Sequence, residues 1–168
     1  YVKDQFKHHY NLDSERIALV PNGVKVDNKV NAESSEKFRR QIIQQLAIES
    51  SVNPVFLLFG ANNFRLKGLN VLMEALAILE KTPTPRPAYL IVAGGGKINK
   101  FRSLAEKLSL DKKIVFLGHL PNIQNAMSIS DVAVLPTFYD PCSRFILEAL
   151  AACKPVITTK FNGASDFF

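Results

Sequence analysis

The chain has no tryptophan and only two cysteines, and it has no long apolar run. Cys142 and Cys153 form no CxxC or other zinc-like spacing, so we expect two buried thiols in a reducing cytosol. No stretch approaches the roughly 18 apolar residues of a membrane span. Charges scattered through "YVKDQFKHHY" are unlike a secretory signal. These shortages favour a soluble cytoplasmic protein without a metal site.

The composition is that of one globular domain. The 168 residues are 47% hydrophobic and 21% charged, which is enough to bury a continuous core. The net charge of +6 suits nucleic acid, an anionic membrane surface or a phosphorylated ligand. The basic residues are dispersed and no aromatic RNA-binding signature is present, so we expect no nucleic-acid partner.

The apolar residues alternate between a helical period and short continuous runs. The runs suit strands covered on both faces, as in a parallel sheet, and the alternation predicts a Rossmann-like, doubly wound α/β fold. An early strand, "RIALVPNG", is expected to complete the sheet. The predicted helices are Glu33–Ala47, Leu66–Glu80, Asn99–Ser109, Ile123–Ser130 and Ser143–Ala152, and the predicted strands are "PVFLLFG", "AYLIVAGGG", "KIVFLGHL", "DVAVLP" and "KPVITT".

Both ends of the chain resemble the edges of a fragment. It opens on a helix-like segment ahead of the first strand and closes on "FNGASDFF", with no covering helix afterwards. We therefore expect residues 1–168 to be one domain of a longer protein.

Ligands of an open parallel sheet bind beyond the carboxyl ends of the strands, where loops enter helices. In the loop "GANNFRLKG", Arg65 and Lys67 stand just where a helix begins, and Gly60 allows close backbone approach. Two cations there oppose the helix dipole, so a bound anion such as a diphosphate explains them better than solvent exposure.

Two other loops at this edge give weaker signals. "AGGGK" is neither G-x-G-x-x-G nor a Walker sequence, and it reads first as a tight turn. "LGHLPN" offers His119 beside Gly118. A lone histidine is usually structural, although a backbone edge that reads a base is a second reading for this loop.

The loop at Thr137–Arg144 leads into "FILEALAA" and carries two acidic residues, Asp140 and Glu148. One reading makes Asp140 a helix N-cap with Pro141 at N1, and pairs Arg144 with Glu148 along the helix. The other reading makes the two carboxylates a ligand clamp, because a charge among apolar residues needs a partner. Eight helical residues rise about 12 Å, close to the span from the ribose to the sugar of a nucleotide-sugar.

Taken together, these segments resemble the C-terminal, nucleotide-sugar-binding domain of GT-B glycosyltransferases of family 4, the group-1 glycosyltransferases. The lipopolysaccharide-core and RfbU-like enzymes are the most similar in character. The resemblance runs from "ALVPNGV" through "LLFGANNFRLKGLNVLMEAL" and "KIVFLGHL" to "FNGASDFF". Its most specific part is the acidic-x7-acidic motif followed by small residues and "KPVI".

The resemblance implies a role for each site residue. Glu148 matches the glutamate that holds the donor ribose, and Asp140 takes the place of the acidic residue that contacts the donor sugar. Diphosphate contacts are implied for Arg65, Lys67, Ser143 and Arg144, the last two through backbone amides. Candidate contacts to the base or backbone are Gly60, Gly118, His119 and Leu120.

Several positions depart from the family pattern. Asp140 replaces the usual glutamate, and Pro141 and Ser143 replace glycines of an E-G-F-G turn, with Pro141 removing an N–H donor. Cys153 stands where a glycine commonly ends the helix. The Gly-Arg pair common after the first strand is here Gly60–Ala61, so the phosphate cation must come from Arg65.

The resemblance implies the donor half of a retaining glycosyltransferase that needs neither metal nor cofactor and uses a UDP-sugar, or alternatively GDP- or ADP-sugar. An acceptor of glycan or lipopolysaccharide type would bind through a missing N-terminal domain, so the catalytic residues are unassigned and these residues alone should transfer nothing. Localisation would be cytoplasmic, with peripheral contact at the inner membrane. Two alternatives stay open: a catalytically inactive nucleotide-binding module and a GT-B nucleotide-sugar epimerase.

Overall fold

The computed structural model describes residues 2–25 and 30–167. Its helices and strands alternate after an N-terminal helical segment. The helices are α1 (Val2–Tyr10), α2 (Ala32–Gln45), α3 (Leu69–Leu79), α4 (Ile98–Lys107), α5 (Gln124–Ile129) and α6 (Arg144–Ala151), with 3₁₀ turns at Ser14–Arg16 and Gly163–Phe167. The strands are β1 (Val55–Gly60), β2 (Ala88–Ala93), β3 (Ile114–Gly118), β4 (Val132–Leu135) and β5 (Val156–Thr158).

The strands form a parallel sheet in the order β3-β2-β1-β4-β5. The crossovers from β1 to β2 and from β2 to β3 run in one direction, so right-handed connections put α3 and α4 on one face. The crossovers to β4 and β5 run the other way and put α5 and α6 on the opposite face, where α2 packs against α5. The predicted doubly wound α/β fold is confirmed.

The predicted early strand "RIALVPNG" is wrong. Residues 17–23 have no regular secondary structure, and Leu19 and Val20 are 72% and 84% exposed. Without a neighbouring strand to pair with, the consecutive apolar residues of this segment have no pleated surface to occupy. The segment instead makes a side-chain contact, because Asn22 Nδ2 donates to the carbonyl of Cys142 at 2.9 Å.

The core lies on both faces of the central strands. All of β2 is buried, and so are most residues of β1 and β4, as their nearly unbroken apolar runs predict. On the α3 and α4 face, Phe64 makes edge-to-face contacts with Phe59 and Phe101, with ring centroids 5.9 and 5.4 Å apart. None of the helices in the two described ranges combines the length and apolar content that crossing a bilayer requires.

The cysteines depart from the prediction of two buried thiols. Cys142 is half-buried and Cys153 is exposed. Cys153 has a φ of +54° just after α6, the left-handed position at which helices commonly end on glycine. In this conformation the side chain of Cys153 lies outside the core. The apolar residues around Cys153 in the sequence had instead suggested a buried thiol.

Candidate functional site

The order of the strands reverses between β1 and β4, and this reversal creates a crevice. The loop after β1 leads to α3 on one face, and the loop after β4 leads to α6 on the other face. In open parallel sheets, this switch point is where ligands bind. The loops with the strongest sequence signals, residues 60–68 and 136–143, therefore border the same crevice.

An ion pair joins the two loops. Lys67 Nζ lies 2.8 Å from Asp140 Oδ2, and their side chains are only 19% and 12% exposed. The same nitrogen donates to the carbonyl of Tyr139 at 2.9 Å. The sequence analysis assigned these side chains to separate parts of a ligand, whereas the structure places them in direct contact. Because an ammonium group has three protons, Lys67 keeps one donor for a ligand.

The backbone holds the loops in register beside this pair. The carbonyl of Leu66 accepts from the amide of Phe138 at 3.0 Å and from the hydroxyl of the buried Thr137 at 3.3 Å. Gly68 has a φ of +79°, and a Cβ there would lie 2.1 Å from the carbonyl oxygen of Pro136. The crevice is therefore fixed by the backbone as well as by the charges.

The N-terminus of α6 differs from the first sequence reading of Asp140, in which this residue caps the helix. Helix α6 begins at Arg144 and its N-cap is Ser143, whose hydroxyl accepts from the amide of Ile146 at 3.4 Å. Asp140 lies before the helix, where its Oδ1 accepts from the amide of Cys142 at 3.2 Å. The prediction of Asp140 as N-cap is wrong, and a helical rise of about 12 Å between Asp140 and Glu148 does not apply. Proline at 141 bends the chain ahead of the helix rather than starting it.

Asn162 organises this end of α6 from beneath. Its side chain is fully buried, and its Oδ1 accepts from the amides of Ser143 and Ala164, each at 3.1 Å. Its Nδ2 donates to the hydroxyl of Thr158 at 3.0 Å. The amide of Ser143 is therefore occupied by a side chain. The amides of Arg144 and Phe145 belong to the first turn, where helix geometry supplies no carbonyl partner.

The segment after β5 also clamps the acidic residue through its backbone. The amide of Asp140 donates to the carbonyl of Phe161 at 3.0 Å, and the amide of Gly163 donates to the carbonyl of Asp140 at 2.9 Å. A Cβ at Gly163 would lie 1.9 Å from the carbonyl oxygen of Pro141. The segment that follows β5 therefore fixes the position of Asp140 together with Lys67.

Glu148 lies on the half-buried side of α6. Its Oε1 is 3.4 Å from Arg144 Nη2, and the two side chains are 22% and 70% exposed, respectively. The ion pair expected from the spacing of four is therefore formed. An exposed arginine held at this distance contributes little energy, so the carboxylate stays available to a ligand.

The remaining predicted residues fall in three places. Gly60 abuts α6, since a Cβ there would lie 2.5 Å from the ring of Phe145. Gly118 has a φ of +68° beside open space, with the exposed His119 and the half-buried Leu120 following it. Arg65 is exposed and lines a separate cleft on the α3 and α4 face.

Asn162 and Thr137, whose buried polar groups hold the loops, were not among the predicted site residues. The signal available was their position, because each follows a strand at the carboxyl edge of a parallel sheet. Within residues 2–25 and 30–167, no group of three or more His, Cys, Asp or Glu side chains could hold a metal ion. The site thus presents cationic, amide and carboxylate groups, which suit a ligand with phosphate and hydroxyl groups.

This arrangement defines a doubly wound α/β domain with a crevice of cationic, amide and carboxylate groups where the strand order reverses. The family model described as "Glycosyl transferases group 1" matches residues 38–168, which is most of the chain. The chain belongs to this family.

Two relatives illustrate the similarity in sequence. The lipopolysaccharide glucosyltransferase WaaG of Escherichia coli (strain K12) is 30% identical over 162 residues, which cover 96% of this chain and 42% of the relative. The uncharacterized glycosyltransferase MJ1607 of Methanocaldococcus jannaschii is 27% identical over 172 residues, covering 98% and 42%. The chain thus spans less than half the length of these relatives.

Solved structures show the same fold. The crystal structure of WaaG superposes with a TM-score of 0.80 at 28% identity, covering 98% of this chain and 43% of that one. A glycosyltransferase from Rickettsia africae ESF-5 gives a TM-score of 0.82 at 26% identity, with 98% and 44% coverage. The chain corresponds to the C-terminal Rossmann-like half of a GT-B glycosyltransferase, as the sequence predicts.

Proposed function

We propose that the chain is the donor-binding half of a retaining, metal-independent glycosyltransferase. It would bind a nucleotide-sugar and present the sugar to a glycan or lipopolysaccharide-type acceptor held by a second domain. The observation that carries this proposal is the Lys67–Asp140 contact across the switch-point crevice. This contact brings a cation that suits phosphate and a carboxylate that suits hydroxyl groups together beside the first turn of α6.

The donor would lie along this crevice with its groups divided among the loops. Glu148 would accept hydrogen bonds from the ribose, and the third proton of Lys67 would meet the diphosphate together with the Arg144 amide. Asp140 would accept from a sugar hydroxyl with lone pairs that Lys67 and Cys142 leave free. Base contacts are proposed for Gly118, His119 and Leu120, with Gly60 and the side chain of Arg65 at the margin.

Chemistry would occur in the cleft between the two domains. Departure of the nucleoside diphosphate develops negative charge, which Lys67, Arg65 and the dipole of α6 would stabilise in place of a metal ion. The Ser143 amide, occupied by Asn162, would contribute by holding the turn rather than by touching phosphate.

The known complexes of relatives favour a uridine donor. A structure of Anabaena Alr3699/HepE in complex with UDP has a TM-score of 0.81 at 22% identity, and the same protein is known in complex with UDP-glucose. WaaG is a lipopolysaccharide glucosyltransferase. We therefore propose a UDP-sugar donor and a cytoplasmic location, with peripheral contact at the inner membrane through the acceptor domain.

A nucleotide-binding module without catalysis is the second candidate. It is favoured by Pro141, which lacks an N–H, and by the Ser143 amide that donates to Asn162. Both changes remove backbone donors from the turn where the family resemblance implies diphosphate contacts.

Titration calorimetry of this chain with UDP, GDP and ADP tests nucleotide binding. Substituting Glu148→Ala should weaken UDP binding about tenfold or more, because two hydroxyl hydrogen bonds are lost. Glu36→Ala is the matched control, since Glu36 pairs with Arg40 four residues away at 3.8 Å on α2. No affinity for any nucleoside diphosphate, or equal effects of the two substitutions, would contradict the proposal.

A transfer assay separates the two candidates. With UDP-glucose and a lipid-linked or glycan acceptor, we expect the longer protein to transfer glucose and residues 1–168 alone to transfer nothing. Nucleotide binding without transfer by the longer protein, across a panel of UDP-sugars, would favour the module.

A further inference from the structure

A second cleft adjoins the crevice at α6 and shares its two loops, since residues 62–66 and Phe138 line it. It occupies about 1410 Å³ on the face of the sheet that carries α3 and α4, between the loops after β1 and β2 and the exposed side of α4. Of the residues assigned to the donor, only Arg65 lines it. Lys67, Asp140 and Glu148 do not line it, so the cleft is distinct from the proposed ribose and sugar contacts and shares only Arg65 with the proposed diphosphate contacts.

The charges that line this cleft are all positive. Arg65 approaches from the loop after β1, and Lys97, Lys100 and Lys107 approach from the start and the length of α4. Lys100 and Lys107 are seven residues apart, so they lie on the same side of the helix about 10 Å from each other. Among the described residues, none of these cations forms an ion pair. Cations gathered from two elements without carboxylates suit an anionic ligand.

The walls of the cleft are fixed by close packing. Gly94 has a φ of +129°, and a Cβ there would lie 1.7 Å from the carbonyl oxygen of Ala61. A Cβ at Gly96 would lie 2.3 Å from the ring of Phe64. The amide of Gly95 donates to Asn62 Oδ1 at 3.3 Å. The loop after β2 is thus locked to the loop after β1, so the cleft is formed before any ligand arrives.

Aromatic and amide groups accompany the cations. The ring of Phe138 lines the cleft and is more than half exposed, which gives a flat apolar surface of the kind that packs against a sugar ring. Asn70 also lines the cleft, and its Oδ1 is buried without a hydrogen-bond partner among the described residues. A buried oxygen without a hydrogen bond costs free energy. A ligand hydroxyl that donates to this oxygen, after rotation of the side-chain amide toward the cleft, would remove that cost.

We propose that this cleft binds a phosphorylated saccharide. The phosphate lies among Lys97, Lys100, Lys107 and Arg65, and the sugar ring packs on Phe138 with a hydroxyl toward Asn70. This site goes beyond the proposed donor function, because its phosphate contacts centre on the lysines at the start and along α4. It shares Arg65 with the proposed diphosphate contacts but does not involve Glu148, Asp140 or Lys67.

Titration of this chain with glucose 6-phosphate tests the proposal in the Glu148→Ala background, where the donor site is weakened. We expect binding that falls with added NaCl and that is at least about tenfold weaker in a variant with Lys100→Gln and Lys107→Gln. Lys37→Gln, an exposed lysine on α2, is the matched control and should leave the affinity unchanged. NMR amide shifts should concentrate in residues 94–107 and spare α6.

Separate arms with glucose and with inorganic phosphate identify the ligand class. Both should bind more weakly than glucose 6-phosphate, because each supplies half of the contacts. Three results would each overturn the proposal. They are no binding of glucose 6-phosphate at concentrations up to about 10 mM, an affinity for inorganic phosphate equal to that for glucose 6-phosphate, and an affinity for glucose 6-phosphate that is the same with and without the two lysine substitutions. UDP binding, measured with Glu148 intact, should be the same with and without the two lysine substitutions, so the two sites can fail independently.

Discussion

The crevice at α6 and the cleft beside α4 use charge in opposite ways. In the crevice, Lys67 and Asp140 neutralise each other at 2.8 Å with little exposure, and Asn162 satisfies the amides around them. In the cleft, Lys100 and Lys107 of α4 are exposed and form no ion pair within residues 2–25 and 30–167. The polar groups of the crevice therefore hold the fold together, whereas the lysines of the cleft are free for a ligand. Substitutions in the two regions should separate these roles.

The largest effect is expected at Asn162, because it is buried beneath the crevice. Asn162→Leu leaves the amides of Ser143 and Ala164 without acceptors, which should lower the free energy of unfolding by about 3 kcal/mol. Urea denaturation measures this change. The control is Asn99→Leu on the exposed side of α4, where we expect a change within about 0.5 kcal/mol. Similar losses for both variants would mean that the buried amide does not organise the crevice.

A smaller effect is expected from the ion pair across the crevice. Lys67→Met, Asp140→Asn and the double substitution form a cycle in which the coupling should be about 1–2 kcal/mol, since the pair is only partly exposed. Each single variant leaves one group desolvated without its partner, so the double variant should lose less than the sum. A coupling near zero in urea unfolding would show that the two loops are held by the backbone alone.

The smallest effect on stability is expected in the cleft. Lys100→Gln with Lys107→Gln should change the free energy of unfolding by less than about 0.5 kcal/mol, and lowered repulsion should make any change favourable. Lys113→Gln is the contrast, because Lys113 lies 2.7 Å from Glu80 and over the ring of Tyr89 at 4.6 Å. We expect it to cost about 1 kcal/mol. A loss larger than that of Lys113→Gln from the cleft lysines would contradict a ligand-binding role.

Sequence reasoning located most of the sheet because parallel strands need apolar side chains on both faces. "AYLIVAGGG" and "PVFLLFG" show this pattern plainly, and both are central strands. The same reasoning failed for "RIALVPNG", whose apolar residues resemble a strand but have no strand beside them. It placed the start of α6 correctly at Ser143 but offered Asp140 as the N-cap, because Asp140 followed by Pro141 is also a good helix beginning.

The candidate site was predicted as a set of residues but not as a set of contacts. The residue types and spacing indicated Lys67, Asp140 and Glu148, and Arg144 pairs with Glu148 as the spacing of four requires. The contact between Lys67 and Asp140 joins residues that are far apart in sequence, and no local pattern encodes it. The roles of these side chains toward a nucleotide-sugar stay predictions.

By itself, the sequence determined the alternation of strands and helices, the family to which the chain belongs, and the short-range pair on α6. These depend on hydrophobic period and local spacing, which are properties of neighbouring residues. Only the tertiary structure decided that Asn162 lies beneath Ser143, that Lys67 meets Asp140 and that Arg65 lines the same cleft as the lysines of α4. Those contacts depend on how the crossovers distribute the helices over the two faces of the sheet, which joins loops that are distant along the chain.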